Sequence, residues 1–216
     1  MPVAQILSIQ SNVTFGFAGN SVAVFTLRRA GLDVWPVHTV EFSNNTSYGA
    51  WRGPVISPEQ VASVVQGVDD LGVLTEVDAV LSGYQGAPQM GQTILQAVEM
   101  TRARNPQAIY CCDPVMGDVD RGFYAAPGIP EFMREHVVPQ ATIMSPNLFE
   151  LDYLESILRY NVTPSNASIR VGTENITNAD RIVQEWQSPQ GGDPFRLHPD
   201  LCLEIAVVDP PPALVV

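Results

Sequence analysis

The 216-residue chain contains no lysine; all eleven of its basic residues are arginine. That absence excludes a Schiff-base lysine, a Walker-type lysine and any lysine clamp on a nucleotide phosphate. Arginine replaces the charge but not the compact ammonium geometry. Basic residues are scarce in any form, 11 against 23 acidic, for a formal charge of -12. A surface that acidic repels phosphate backbones and anionic lipid, which argues against nucleic-acid and membrane partners. No run of 18 apolar residues occurs, so nothing reads as a membrane span. The opening "MPVAQILSIQ" lacks the basic start and unbroken apolar stretch of a secretory signal. Cysteine is sparse: Cys111 and Cys112 are adjacent, and Cys202 stands alone. Neighbours on a strand point to opposite faces and do not bond each other, so plain thiols and a cytoplasmic location are expected.

What remains is globular. Hydrophobic residues make up 45% and charged residues 16%, enough for one medium domain with a sizeable core. Up to about residue 158, short apolar runs alternate with helical patterns. "QILSIQ" (5–10), "DVWPVHTV" (33–40), "VDAVLSGY" (77–84), "AIYCCD" (108–113) and "ATIMS" (141–145) read as strands. Between them, 19–31, 57–72, 87–106, 127–138 and 147–158 read as helices. Asn20 or Ser21 stands near the first cap, with Gly31 closing that helix, and Ser57 with Pro58 opens the second. The expected fold class is α/β, a mostly parallel sheet flanked by helices on both faces. Such sheets place their chemistry at the carboxyl ends of the strands, where "QSN", "SGY", "DPVMGD" and "SPN" fall. After Tyr160 the texture turns polar and aperiodic; "RIVQEWQ" reads as a turn or two of helix, "LCLEIAVV" (201–208) as a strand, and three prolines follow. Residues 1–158 are therefore expected to form one α/β domain, with 159–216 a divergent tail.

Several stretches carry chemistry. "SIQSNVTFGFAGNS" (8–21) sets Ser11 and two glycines before a helix, although Gly16 and Gly19 do not make a G-x-G-x-x-G pattern. "EFSNNTSYGAWRG" (41–53) suits a mobile flap over a site and a surface hairpin equally. In "DPVMGD", Asp113 and Asp118 flank a turn and can face one point, where hard carboxylate oxygens suit Mg²⁺; Asp-Pro is also a common turn former. In "SPNLFELDYLE" (145–155), Asn147 with Glu150 three residues on is the pattern of a capping box, and can equally organise a metal and its phosphate. His38, His136 and His198 show no ligand spacing and are assigned no catalytic role.

Taken jointly, "SIQS…GFAGNSVAVFTLRRAGLDVWPVHTVEFSNNTSYGAW", "VLSGYQG", "YCCDPVMGD…G" and "SPNLFELDYL" resemble the pyridoxal kinase family, in its bacterial pyridoxamine/pyridoxal branch within the ribokinase-like superfamily. The resemblance runs from about residue 5 to 158. It implies a kinase that moves the γ-phosphoryl of ATP to the 5′-hydroxymethyl of pyridoxal and related B6 vitamers, with Mg²⁺ as cofactor, working as a homodimer. It implies that Ser11, Thr46, Ser47 and Tyr84 bind the vitamer. Asp113, Ser145 and Glu150 would border the nucleotide, and Asp118, Asn147 and Glu150 would serve the metal. An inactive vitamer-binding or subunit-pairing relative, and a hydroxymethylpyrimidine-type kinase, are the alternatives.

The likeness stops before the family's lysine-bearing strand and its Gly-x-Gly-Asp turn, whose aspartate is the general base. The one candidate here is "QGGDPF" (190–195), where Gln190 takes the first glycine's place and Asp193 would be the base. The tail is expected to be unrelated sequence joined to a family amino-terminal half, by a frame error or by remodelling. The expectations that follow are weak or no turnover, and poor solubility or obligate association.

Overall fold

The computed structural model describes residues 3–161, which hold all five expected strand–helix units. The readings made on the tail, including Asp193, "RIVQEWQ" and "LCLEIAVV", lie outside the described residues, as do His198 and Cys202.

In chain order the elements are β1 (Gln5–Phe15), α1 (Asn20–Arg29), β2 (Asp33–Asn44), α2 (Pro58–Asp70), β3 (Val77–Ser82), α3 (Met90–Arg104), β4 (Ile109–Cys112), β5 (Gly117–Asp118), β6 (Gly122–Phe123), α4 (Ile129–Phe132), β7 (Ile143–Met144) and α5 (Leu148–Asn161). Five strands form one sheet in the order β2-β1-β3-β4-β7, with every pairing parallel. A continuous apolar reading is what a central parallel strand demands, and β1 is buried from Leu7 to Ser11. The chain leaves β1 toward one edge to make β2, then crosses back to make β3 on the other side. Right-handed crossovers then put α1 on one face and α2 and α3 on the opposite one. The packing agrees, with α1 against β1 and β2, and α2 against α3. Strand order reverses at β1, so a crevice opens beyond the carboxyl ends of β1 and β3.

The core lies between the sheet and α2, α3 and α5. Leu7, Ile9, Val80, Ile94, Tyr110, Met116, Leu151 and Leu154 are all buried there. Each large aliphatic side chain contributes roughly 1.5–3 kcal/mol on burial. Cys111 and Cys112 are free thiols, Cys112 buried and Cys111 half-buried, as alternation on a strand requires.

Three local readings change. β1 does not end at Gln10: it runs on to Phe15, with its register against β2 shifting between Gln10 and Asn12. Ser11 therefore sits at a bulge inside a strand, where a bulge re-aims a side chain. The cap of α1 is Gly19 at φ 55, which has no side chain to make a cap bond, and the Asn20 side chain turns back into the sheet instead. Between β4 and β7, the antiparallel pair β5–β6 folds "GD" against "GF", and the helix beginning at Ile129 passes after Phe132 into one wide and one tight helical turn as far as Gln140. The second helix keeps its expected start: Ser57 accepts from Gln60 N and the Gln60 side chain answers at the Ser57 N–H, a complete capping box.

The 41–53 segment is a hairpin. Ser43 N donates to Arg52 O at 2.7 Å, Glu41 N to Pro54 O at 3.0 Å, and Val40 bridges Val55 antiparallel. A tight helical turn, Thr46–Tyr48, caps its tip; Asn45 accepts from Ser47 N and Gly49 closes the turn at φ 81.

Candidate active site

At the crevice between β1 and β3 lies a pocket of about 190 Å³. Its floor is the end of β1 (Gln10, Ser11, Val13). One wall is the β2 hairpin (Phe42, Asn45, Thr46), another is Tyr84 after β3, and the far lip is Asp113 and Val115 after β4 with Arg121 and Tyr124 from the β5–β6 hairpin. Ordinary ligand pockets run to about 300–1,000 Å³, so this one matches a single small ring and not a whole nucleotide.

Four of the residues singled out in the sequence meet here: Ser11, Thr46, Tyr84 and Asp113. Ser11 is buried and packs against Gly19, where any side chain would collide with the Ser11 backbone and hydroxyl. Tyr84 is held by its carbonyl, which accepts from the Thr39 hydroxyl at 2.6 Å, and burial pushes its phenol up. Ser47 belongs to the hairpin tip but does not line the pocket. Ser145 does not line it either; its N–H donates to Cys112 O at 3.0 Å and so prolongs the β4–β7 pairing.

The acidic lip divides into two environments. Asp113 continues the sheet, its N–H donating to Ser82 O at 2.9 Å. The residue is half-buried, but protein atoms crowd the carboxyl, which burial first and the Glu150 charge second push up to about 8. Glu150 is raised by burial too, and is partly compensated because its carboxylate accepts from three backbone N–H groups: Met116 at 2.9 Å, Gly117 at 3.5 Å and Asn147 at 2.9 Å. Asn147 answers by accepting from Glu150 N at 2.9 Å and donating to Gly117 O at 2.8 Å. The Asn-x-x-Glu element is thus a capping box for α5 that also fastens the 116–117 backbone. Asp118 faces a cation of its own: Arg121 reaches it with two side-chain N–H groups, at 2.9 and 2.7 Å, and this pairing holds its carboxyl below the usual range. The Arg121 guanidinium lies 4.4 Å from the Tyr124 ring centroid.

Among the described residues no group of three or more His, Cys, Asp or Glu side chains is arranged to hold a metal unaided. Burial raises both the Asp113 and Glu150 carboxyls, and the Glu150 charge adds to the rise at Asp113, which is where a hard divalent cation reduces the electrostatic cost. A Mg²⁺ brought in with phosphate oxygens fits that donor set.

Sequence reading missed Gln10, Asn45, Arg121 and Tyr124 as pocket residues. Arg121 and Tyr124 reach the site through a hairpin of two-residue strands, too short to leave a periodic signal. Gln10 carried no motif of its own.

No protein-family model matches the chain. Pyridoxal kinase PdxY of Rubrobacter xylanophilus is 56% identical over 152 residues, 70% of this chain and 52% of that protein. Pyridoxal kinase PdxY of Granulibacter bethesdensis is 47% identical over 179 residues, 82% of this chain and 63% of that protein. Among solved structures, pyridoxal kinase from Leishmania donovani in complex with ADP and pyridoxamine superposes with a TM-score of 0.66 at 32% identity, over 70% of this chain and 54% of that one. The chain spans between about half and two thirds of the length of these relatives.

Proposed function

Over the residues matched to those kinases the chain belongs to the pyridoxal kinase family, and from that premise we propose that it serves ATP-dependent phosphorylation of pyridoxal, pyridoxamine or pyridoxine at the 5′-hydroxyl. Its part in that reaction is the vitamer pocket and the acidic lip beside it. Ser11, Thr46 and Tyr84 hold the vitamer ring, and Ser47 steadies the hairpin tip above it. Asp113 faces the nucleotide phosphates, with Ser145 and Glu150 bordering the nucleotide further along the lip. Mg²⁺ would supply charge neutralisation for phosphoryl transfer, served by Asp118, Asn147 and Glu150. Asn147 also fastens the 116–117 backbone, and Asp118 supports the same side by fixing Arg121. The protein works in the cytoplasm as a homodimer.

One observation carries the reading. Four residues drawn from four separate stretches of chain, Ser11, Thr46, Tyr84 and Asp113, surround one ring-sized pocket at the point where strand order reverses. Equilibrium dialysis of the purified chain against pyridoxal tests it. Saturable one-site binding is expected, weakened about tenfold by Ser11→Ala through loss of one buried hydrogen bond. Absence of saturable binding overturns the reading.

A further inference from the structure

The polar side chains beneath the pocket form a chain whose hydrogen-bond directions are fixed by the backbone. Asn20 donates from its Nδ2 to three carbonyl oxygens, Ser8 at 3.3 Å, Gln10 at 3.3 Å and Val37 at 3.2 Å. Carbonyls only accept, so the amide of Asn20 has one possible orientation and its Oδ1 faces the Ser8 hydroxyl at 2.7 Å. Ser8 must therefore donate to Asn20. Its remaining lone pair then accepts from Gln10, whose Nε2 lies 2.9 Å away. The direction passes along the chain and leaves one end undetermined by protein: the amide oxygen of Gln10. No described residue donates to it.

That oxygen belongs to a residue only 6% exposed, and Gln10 lines the vitamer pocket. Space for its amide is kept by Gly83, where a Cβ would sit 2.7 Å from Oε1 and 3.1 Å from the Gln10 Cβ. An acceptor of fixed orientation on a largely buried, pocket-lining side chain, with no hydrogen bond from a described residue, suits a ligand that brings a donor.

We propose that Gln10 is a specificity-determining residue of the pocket, its oriented amide oxygen accepting a hydrogen bond from an O–H or N–H group on the vitamer ring. Ser8 and Asn20 are the positioning residues that aim it. This rests on the vitamer-binding reading given above.

The test compares the affinity of the intact chain for pyridoxal, for its 3-O-methyl ether and for the analogue with carbon in place of the ring nitrogen, which separates the two donor sources. Wild type should bind one analogue at least about tenfold more weakly than pyridoxal, and Gln10→Leu should bind that analogue and pyridoxal alike. Ser8→Ala leaves Gln10 in place but frees its amide to turn, and should lose most of the same discrimination while its circular dichroism stays that of the wild type. Discrimination against both analogues unchanged in Gln10→Leu and Ser8→Ala, or none in wild type, overturns the proposal and leaves vitamer binding standing. No pyridoxal binding by wild type overturns both.

Discussion

At the scale of single residues, Asp113 and Asp118 look alike in the sequence, two acids around one turn, and the structure gives them opposite characters. Asp118 meets Arg121 and ionises readily, whereas burial and the charge of Glu150 push the Asp113 carboxyl up to about 8. A raised folded-state value means the native protein binds the Asp113 proton more tightly than the unfolded chain, where the ordinary value is 3.8. The stability this contributes is full below about 4 and is lost as pH rises through about 8. Glu150 acts in the same direction; Asp118, with its lowered value, acts oppositely and only toward acid. Without divalent cation, the urea midpoint should therefore fall between pH 6 and pH 8.5. Asp113→Asn should flatten that fall, and a midpoint equally pH-dependent in the variant would count against the assignment. Ser11 and Asp113 stood out in the sequence as polar side chains just past apolar runs, whereas Thr46 and Tyr84 were reached only through the family resemblance. Gln10 was not legible, since its orientation depends on Asn20, ten residues away and read only as a helix cap.

Among the elements, the central sheet was legible because each parallel strand leaves a run of apolar residues between helical patterns. The β5–β6 hairpin was not, because two residues per strand carry no periodicity and its position depends on Glu150 some thirty residues later. Glu150 holds Met116 and Gly117 from one carboxylate oxygen and Asn147 from the other, at the entrance to α5. Removing it strands buried backbone donors whose desolvation costs about 1–3 kcal/mol each. Glu150→Ala should lower unfolding free energy by roughly 3 kcal/mol in chemical denaturation, and Glu150→Gln, which keeps one acceptor, by less. A Glu150→Ala protein as stable as wild type would show that the loop is held by something else. The β2 hairpin illustrates the other limit on legibility: its composition suited a flap and a hairpin alike, and only cross-strand bonds such as Ser43 to Arg52 decide its form.

For the molecule as a whole, composition excluded more than it identified. A charge of -12 leaves little room for polyanionic partners, and no described helix is long and apolar enough to cross a membrane. Association is a separate matter. Phe17 and Phe25 are 88% and 72% exposed on and just before α1, and a homodimer would give such rings cover. Sedimentation equilibrium should find a species of twice the chain mass at micromolar concentration; a strictly monomeric protein would contradict the proposed dimer. The central claim concerns the pocket, and amide hydrogen exchange with and without pyridoxal addresses it most directly. Pyridoxal is expected to slow exchange together at the end of β1 around Ser11, at the hairpin tip around Thr46, at Tyr84 and at the Asp113 turn. Slowing confined to any other surface, or no slowing at saturating pyridoxal, would contradict the account.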